Sequence, residues 1–285
     1  MTFPGLQYLL EKTKSEEAIF AYTVSYLNQP VGLGIGEIDQ HKDSAEILSL
    51  FVESGHRNRG VATQLLQYIE RKMKTKGCHH MSINYLSGKP TTPALERVLQ
   101  KCFWAEPQVD EIICKGHIDS GIRMPWVKKE DYFDNSYEIF PWSSITEEEI
   151  ISIQAQKDDI PHDLYPLQYM GNMEGLNSIG LRYRGDVIGW LISHRIAPDT
   201  IRFTCSYIRQ DLQKIGRNLG LMAEGIKRQY KARVPYIIWT TPMHHQGMVE
   251  FTKRRISPFL VYLKEFKKSQ IALRSVYQPH TTGGL

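Results

Sequence analysis

A mixed α/β fold of the α+β kind, built twice along one chain, is the architecture the sequence predicts. Three observations predict it. The 285 residues exceed one ordinary domain and suffice for two. Strand-length segments and helix-length amphipathic segments alternate in both halves. One strand-turn-helix unit recurs at a fixed spacing, because Val52, Gly60 and Leu66 match Ile208, Gly216 and Met222, each 156 residues further on.

The elements follow in order. Met1 to Lys14 reads as a short amphipathic helix, with Phe3, Leu6, Leu9 and Leu10 ahead of Glu11 and Lys12. Residues 18–27 and 31–39 are strand-like around the turn signal Asn28-Gln29-Pro30, which makes an antiparallel hairpin. A third strand, 45–52, leads through a glycine-containing turn into a run from Val61 to Lys76. Its apolar residues at 61, 62, 65, 66, 69 and 73 have helical spacing. Gly77 stops that helix, 79–86 is the next strand, and 92–103 is a short helix with proline near its start.

Residues 107–136 lose periodicity, and the charged stretch Lys128 to Asp131 places the domain boundary at 130/131. The domains expected are therefore 1–130 and 131–277, with a tail at 278–285. The second half opens with a strand at 137–141 and a helix at 146–156 whose first turn carries three glutamates, suited to the helix dipole. A hairpin (177–184 and 187–194), a strand (200–208), a helix (216–230), a strand (235–240) and a helix (246–256) complete it.

Composition narrows the function classes. No apolar run approaches the roughly 18 residues a membrane helix needs, and the amino terminus does not read as a secretory signal, so the cytoplasm is the expected compartment. Cys78, Cys102, Cys114 and Cys205 lie far apart with no CxxC pair, which suggests reduced, buried thiols rather than a disulfide framework or zinc site. The pairs His79-His80 and His244-His245 are adjacent in sequence and make poor metal clusters, so no metal is expected. A formal charge of +4 is too small to argue for nucleic acid, and Lys253, Arg254 and Arg255 read as a solvated helix face.

The segment carrying chemistry joins the third strand to its helix: Glu53-Ser54-Gly55-His56-Arg57-Asn58-Arg59-Gly60-Val61-Ala62. Amides at a helix start are unpaired and the dipole there is positive. A glycine turn lets them close on a pyrophosphate, and Arg57 and Arg59 add charge.

Arg57-x-x-Gly60-x-Ala62 resembles the R/Q-x-x-G-x-G/A acetyl-CoA signature of the GNAT superfamily of N-acetyltransferases. The resemblance extends over most of residues 18–115. It implies two domains of that type, each a largely antiparallel sheet with a central, splayed parallel strand pair flanked by helices. It further implies that amides from Asn58 through Arg59, Gly60 and Val61 to Ala62 wrap the CoA pyrophosphate, and that pantetheine pairs like a strand with Leu50, Phe51 and Val52. The implied activity is acyl transfer from acyl-CoA, the co-substrate, to a primary amine of a small molecule or peptide, including fatty acyl transfer to a peptide side chain.

The resemblance also names Glu46, opening the third strand, as the general base that deprotonates the amine. The family's general-acid tyrosine is missing: Val98 stands in its place and Cys102 where glycine is usual, so Tyr85 on the adjacent strand is the substitute candidate. The second copy is eroded, reading Gln213-x-x-Gly216-x-Asn218 with Arg202 opposite Glu46. The first copy is thus expected to hold CoA and the second to shape the acceptor pocket. The alternative is a CoA-binding sensor or assembly partner without turnover.

Overall fold

The computed structural model describes residues 18–39, 41, 43–213 and 216–273. The helix expected at Met1 to Lys14 and the tail 278–285 lie outside the described residues. In chain order the strands are β1 (Ile19–Tyr26), β2 (Gln29–Asp39), β3 (Ser44–Val52), β4 (His80–Leu86), β5 (Gln108–His117), β6 (Tyr137–Pro141), β7 (Ile179–Tyr183), β8 (Asp186–Ala197), β9 (Thr200–Ile208), β10 (Tyr236–Pro242) and β11 (Leu260–Ala272). The helices are α1 (Val61–Thr75), α2 (Thr92–Lys101), α3 (Ile118–Gly121), α4 (Pro125–Lys128), α5 (Glu147–Ala155), α6 (Arg217–Lys231) and α7 (Gln246–Phe251), which runs on into a π turn at Thr252–Ile256.

The chain divides into two compact units, Met1–Asp110 with Glu265–Leu285, and Glu111–Lys264. The division at 110/111 differs from the boundary expected at 130/131 for a physical reason. Residues 111–117 of β5 pair antiparallel with β10 of the second unit, and residues 266–272 of β11 pair antiparallel with β4 of the first. Each unit is thus completed by a strand that sequence proximity assigns elsewhere.

In the first unit β1, β2 and β3 form an antiparallel meander, β3 runs parallel to β4, and β11 closes the sheet. Helix α1 lays Leu65, Leu66, Ile69 and Met73 on this sheet with Ile47 and Met81, all at most 1% exposed. Burying each such side chain contributes about 1.5–3 kcal/mol. In the second unit β5 pairs with β10, β10 runs parallel to β9, and β9, β8, β7 and β6 continue antiparallel. Its aromatic layer stacks Phe140, Trp142, Trp190 and Tyr207. Thr146 opens α5 with a capping box to Glu149, which satisfies two helix-start donors.

The repeat survives in three dimensions. Residues 44–52, 61–75 and 80–86 correspond to 200–208, 217–231 and 236–242 at the single offset read from the sequence. The parallel pairings coincide too: Ser44↔His80 to Ile47↔Ile83 in the first unit, and Thr200↔Tyr236 to Phe203↔Trp239 in the second. Both third strands bulge at equivalent residues, Leu48 between the pairs Gly36↔Ile47 and Ile35↔Ser49, and Thr204 between Ser193↔Phe203 and Ile192↔Cys205.

Candidate active site

The geometry that matters begins where parallel pairing stops. Beyond Ile47 and Ile83 the strands β3 and β4 no longer pair, although β3 stays bonded to β2 through Val52. One backbone edge of Leu50, Phe51 and Val52 is therefore open toward the gap. Unpaired backbone groups at such a place need a partner, and an extended ligand arm is one that fits. The bulge at Leu48 sits at the start of the divergence and supplies the bend. Strands β9 and β10 repeat this beyond Phe203 and Trp239.

The loop after β3 leaves a set of helix-start amides open. Asn58 has φ 60° and Gly60 has φ 79°, both left-handed, so the chain doubles back before α1. The first intrahelical bond is donated by the Gln64 amide to the Gly60 carbonyl at 3.0 Å, which leaves the amides of Val61, Ala62 and Thr63 without helical acceptors. Nothing lies within 4 Å of where a Cβ on Gly60 would stand, and Arg57, Asn58 and Arg59 are exposed around it. Arg57 does more than add charge: its Nε donates to the Val52 carbonyl at 2.9 Å. In the second unit Gln213 Nε2 makes the equivalent bond to the Ile208 carbonyl at 2.8 Å, and Gly216 has φ 101°. Arg57 and Gln213, at matching positions, thus each use a side-chain N–H to clip the loop to the end of the strand. The second loop is less open, since a Cβ on Gly216 would meet the ring of Tyr132 at 3.4 Å.

Glu46 stands near the apex of the first splay. It is half-buried, and its Oε1 accepts from Asn84 Nδ2 at 2.8 Å, on the residue just past the last parallel pair. Asn84 Oδ1 is buried with no hydrogen-bond partner. Tyr85 is engaged elsewhere. Its hydroxyl donates to Glu96 Oε1 at 2.9 Å, Lys267 Nζ donates to the same oxygen at 2.9 Å, and burial followed by the Glu96 contact pushes the phenol well above its usual range. Any role for Tyr85 as an acid toward a thiolate requires that bond to break first.

The second splay opens into a cavity of about 900 Å³. Its walls are the diverging ends of β9 and β10, the turn around Asp163, and the loop from His244 to Met248. Trp239, 7% exposed, forms part of its wall, and its buried indole Nε1 has no hydrogen-bond partner. The residue matching Glu46 is Arg202, exposed on the cavity wall. Sequence reasoning missed a cluster here. His244 and His245, which their adjacency in sequence makes a poor metal cluster, lie in the loop after β10, and both Nε2 atoms approach Asp163 Oδ2, at 3.5 and 2.7 Å. All four cysteines are buried and free, and burial pushes the Cys205 thiol beside this cluster up to about 12. It is not a thiolate nucleophile at neutral pH.

The model of the acetyltransferase (GNAT) family matches residues 3–100. Among solved structures the chain is similar to a tandem GNAT protein from the clavulanic acid biosynthesis pathway, with TM-score 0.61 and 11% identity over 92% of this chain and 85% of that one. This chain is a tandem GNAT-fold protein. A GCN5-related N-acetyltransferase from Sphaerobacter thermophilus is similar at TM-score 0.64 and 11% identity, covering 94% of this chain and 86% of the other. One from Kribbella flavida is similar at TM-score 0.53 and 12% identity, covering 93% and 92%. No curated protein matches the sequence. Among the described residues no helix is long and apolar enough to cross a membrane.

Proposed function

We propose that this tandem GNAT-fold protein moves an acyl group from a CoA thioester to a primary amine of a small molecule or peptide, in the cytoplasm. The observation that carries this reading is the first unit's open loop glycine at the end of a splayed strand pair, with a half-buried carboxylate at the apex. The amides from Asn58 to Ala62 hold the pyrophosphate, and the free edge of Leu50 to Val52 receives the pantetheine arm. Glu46 takes a proton from the incoming ammonium, because a protonated amine cannot attack. Asn84 Oδ1, the orphaned acceptor beside it, takes a second N–H and aims the lone pair. Strand amides bordering the gap polarise the thioester oxygen as the tetrahedral intermediate forms. A thiolate leaves without an acid, so the engagement of Tyr85 with Glu96 is no obstacle.

The test is a thermal-shift series with acetyl-CoA, longer acyl-CoAs up to palmitoyl-CoA, and free CoA. A ligand at a thousand times its dissociation constant stabilises the native state by about 4 kcal/mol. We expect a clear rise in Tm, graded by chain length if the acyl group is long; no rise with any of them would sink the reading. Release of CoA thiol in the presence of primary amines then separates an enzyme from a sensor that binds without turnover. Glu46→Gln is expected to lower turnover by about 100-fold or more while acetyl-CoA affinity stays. Unchanged turnover would move the chemistry out of the first unit.

A further inference from the structure

We infer that the second unit carries a proton acceptor of its own, His245 held by Asp163, at the wall of its cleft. This rests on the N-acyltransferase reading and adds a second catalytic site to it. The two copies differ at one decisive point: the carboxylate that opens β3 is replaced in β9 by Arg202, which cannot accept a proton. Yet the second unit holds the large cleft, and a base enters it from different elements.

The pair is held rigidly. Asp163 sits in a single turn at His162–Leu164, and three successive carbonyls of that turn each accept from a side chain. Gln168 Nε2 donates to His162 O, Tyr169 Oη to Asp163 O at 3.0 Å, and Trp190 Nε1 to Leu164 O at 2.9 Å. His245 is fixed from its own backbone: its amide donates to Pro242 O at 3.1 Å, and its carbonyl accepts from Met248 and Val249. The side chains meet at 2.7 Å between Nε2 and Oδ2, half-buried, and both line the cavity together with Trp239.

A carboxylate on Nε2–H fixes the tautomer and leaves Nδ1 as the basic nitrogen, the arrangement that makes an imidazole a general base. As the amine nitrogen bonds to the thioester carbonyl carbon, one amine proton passes to Nδ1. The C–S bond breaks with its electron pair going to sulfur, and His245 returns its proton to solvent. Other ionisable groups surround the pair. His244 lies tilted against His245 at 4.2 Å between ring centroids, and Tyr169 and Cys205 are held protonated by burial, reinforced by the Asp163 charge. Arg202, His194 and Glu111 stand on the cavity wall. His244, His245 and Asp163 also offer three ligand atoms within 4.8 Å of one another, so a bound divalent cation is the rival occupant to be tested.

The experiment follows CoA release by the full chain from acetyl-CoA, with a diamine, an amino sugar and a lysyl peptide as acceptors, against pH. In a Glu46→Gln background the remaining turnover belongs to the second unit. Adding His245→Gln should cut that remainder on the order of 100-fold, with Tm and acetyl-CoA affinity unchanged. Asp163→Asn, altering a positioning residue, should lower kcat on the order of 10-fold with KM for the acceptor little changed, and Asp163→Glu should restore part of it. Three results overturn the proposal: Glu46→Gln alone removes all turnover, the double variant equals Glu46→Gln in rate and pH profile, or EDTA abolishes the remainder and Zn²⁺ restores it. If the unaltered chain releases no CoA with any acceptor, the N-acyltransferase reading itself has failed, a result distinct from these three.

Discussion

Gly60→Trp is expected to abolish acetyl-CoA binding at the first unit's loop. Gly60 occupies φ 79°, where an L-residue pays roughly 1–2 kcal/mol in backbone strain, and the space around it is open. An indole placed there covers the amides of Val61 and Ala62, which precede the first helical bond. Each charge-assisted bond from such an amide to a phosphate contributes about 1.5–3 kcal/mol. Two lost bonds weaken binding by about 3–6 kcal/mol, a factor on the order of 100 to 10,000. Calorimetric titration of acetyl-CoA into the variant measures this directly. Gly60→Ala separates strain from occlusion, because it carries the backbone cost with almost no bulk and should weaken binding far less. Undiminished affinity in the tryptophan variant would place the donor on the second loop, around Gly216.

What the sequence made legible was what repeats locally. The strand before the loop, the glycine and the apolar stripe of α1 each depend on residues within a few positions of one another. The offset between copies therefore survives in the strand pairing, in the bulges at Leu48 and Thr204, and in the Arg57 and Gln213 clips. Local pattern failed where partners are distant. β11 carries Lys264, Glu265, Lys267 and Lys268 and does not read as a strand, yet Lys267 is held by Glu96, and Ser269, 1% exposed, donates to Ala105 O. β5 lies in a stretch that shows no clear periodicity, and its backbone partner β10 is more than 100 residues away. The Asp163 and His245 pair spans 82 residues and two separate loops. No spacing rule reaches that far, and only the closing of the second sheet brings the two together.

The same distance problem hides the group whose loss should cost most in stability, Gln229. It is fully buried on α6, and its Nε2 donates to the carbonyls of Val234 at 3.1 Å and Tyr236 at 2.8 Å. Its Oε1 accepts from Asn177 Nδ2 at 3.2 Å, and Asn177 Oδ1 in turn accepts from Ser193 Oγ at 2.6 Å. One amide thus ties α6 to the entry of β10, to the segment before β7 and to β8. Gln229→Met keeps the volume and removes every bond, leaving an amide N–H pair and two carbonyls buried without these partners. At about 1–3 kcal/mol for each of these three stranded groups the variant should lose about 3–9 kcal/mol, a large part of a domain's usual 5–15. Urea unfolding followed by tryptophan fluorescence checks the size, and hydrogen exchange should place the loss in residues 177–236. A loss under about 1 kcal/mol would mean that water replaces the amide. Because Tyr236 begins the strand that ends in the second splay, Gln229 also sets where that strand starts. A variant that stays folded should therefore disturb the cleft at Trp239 before it disturbs the first unit's loop.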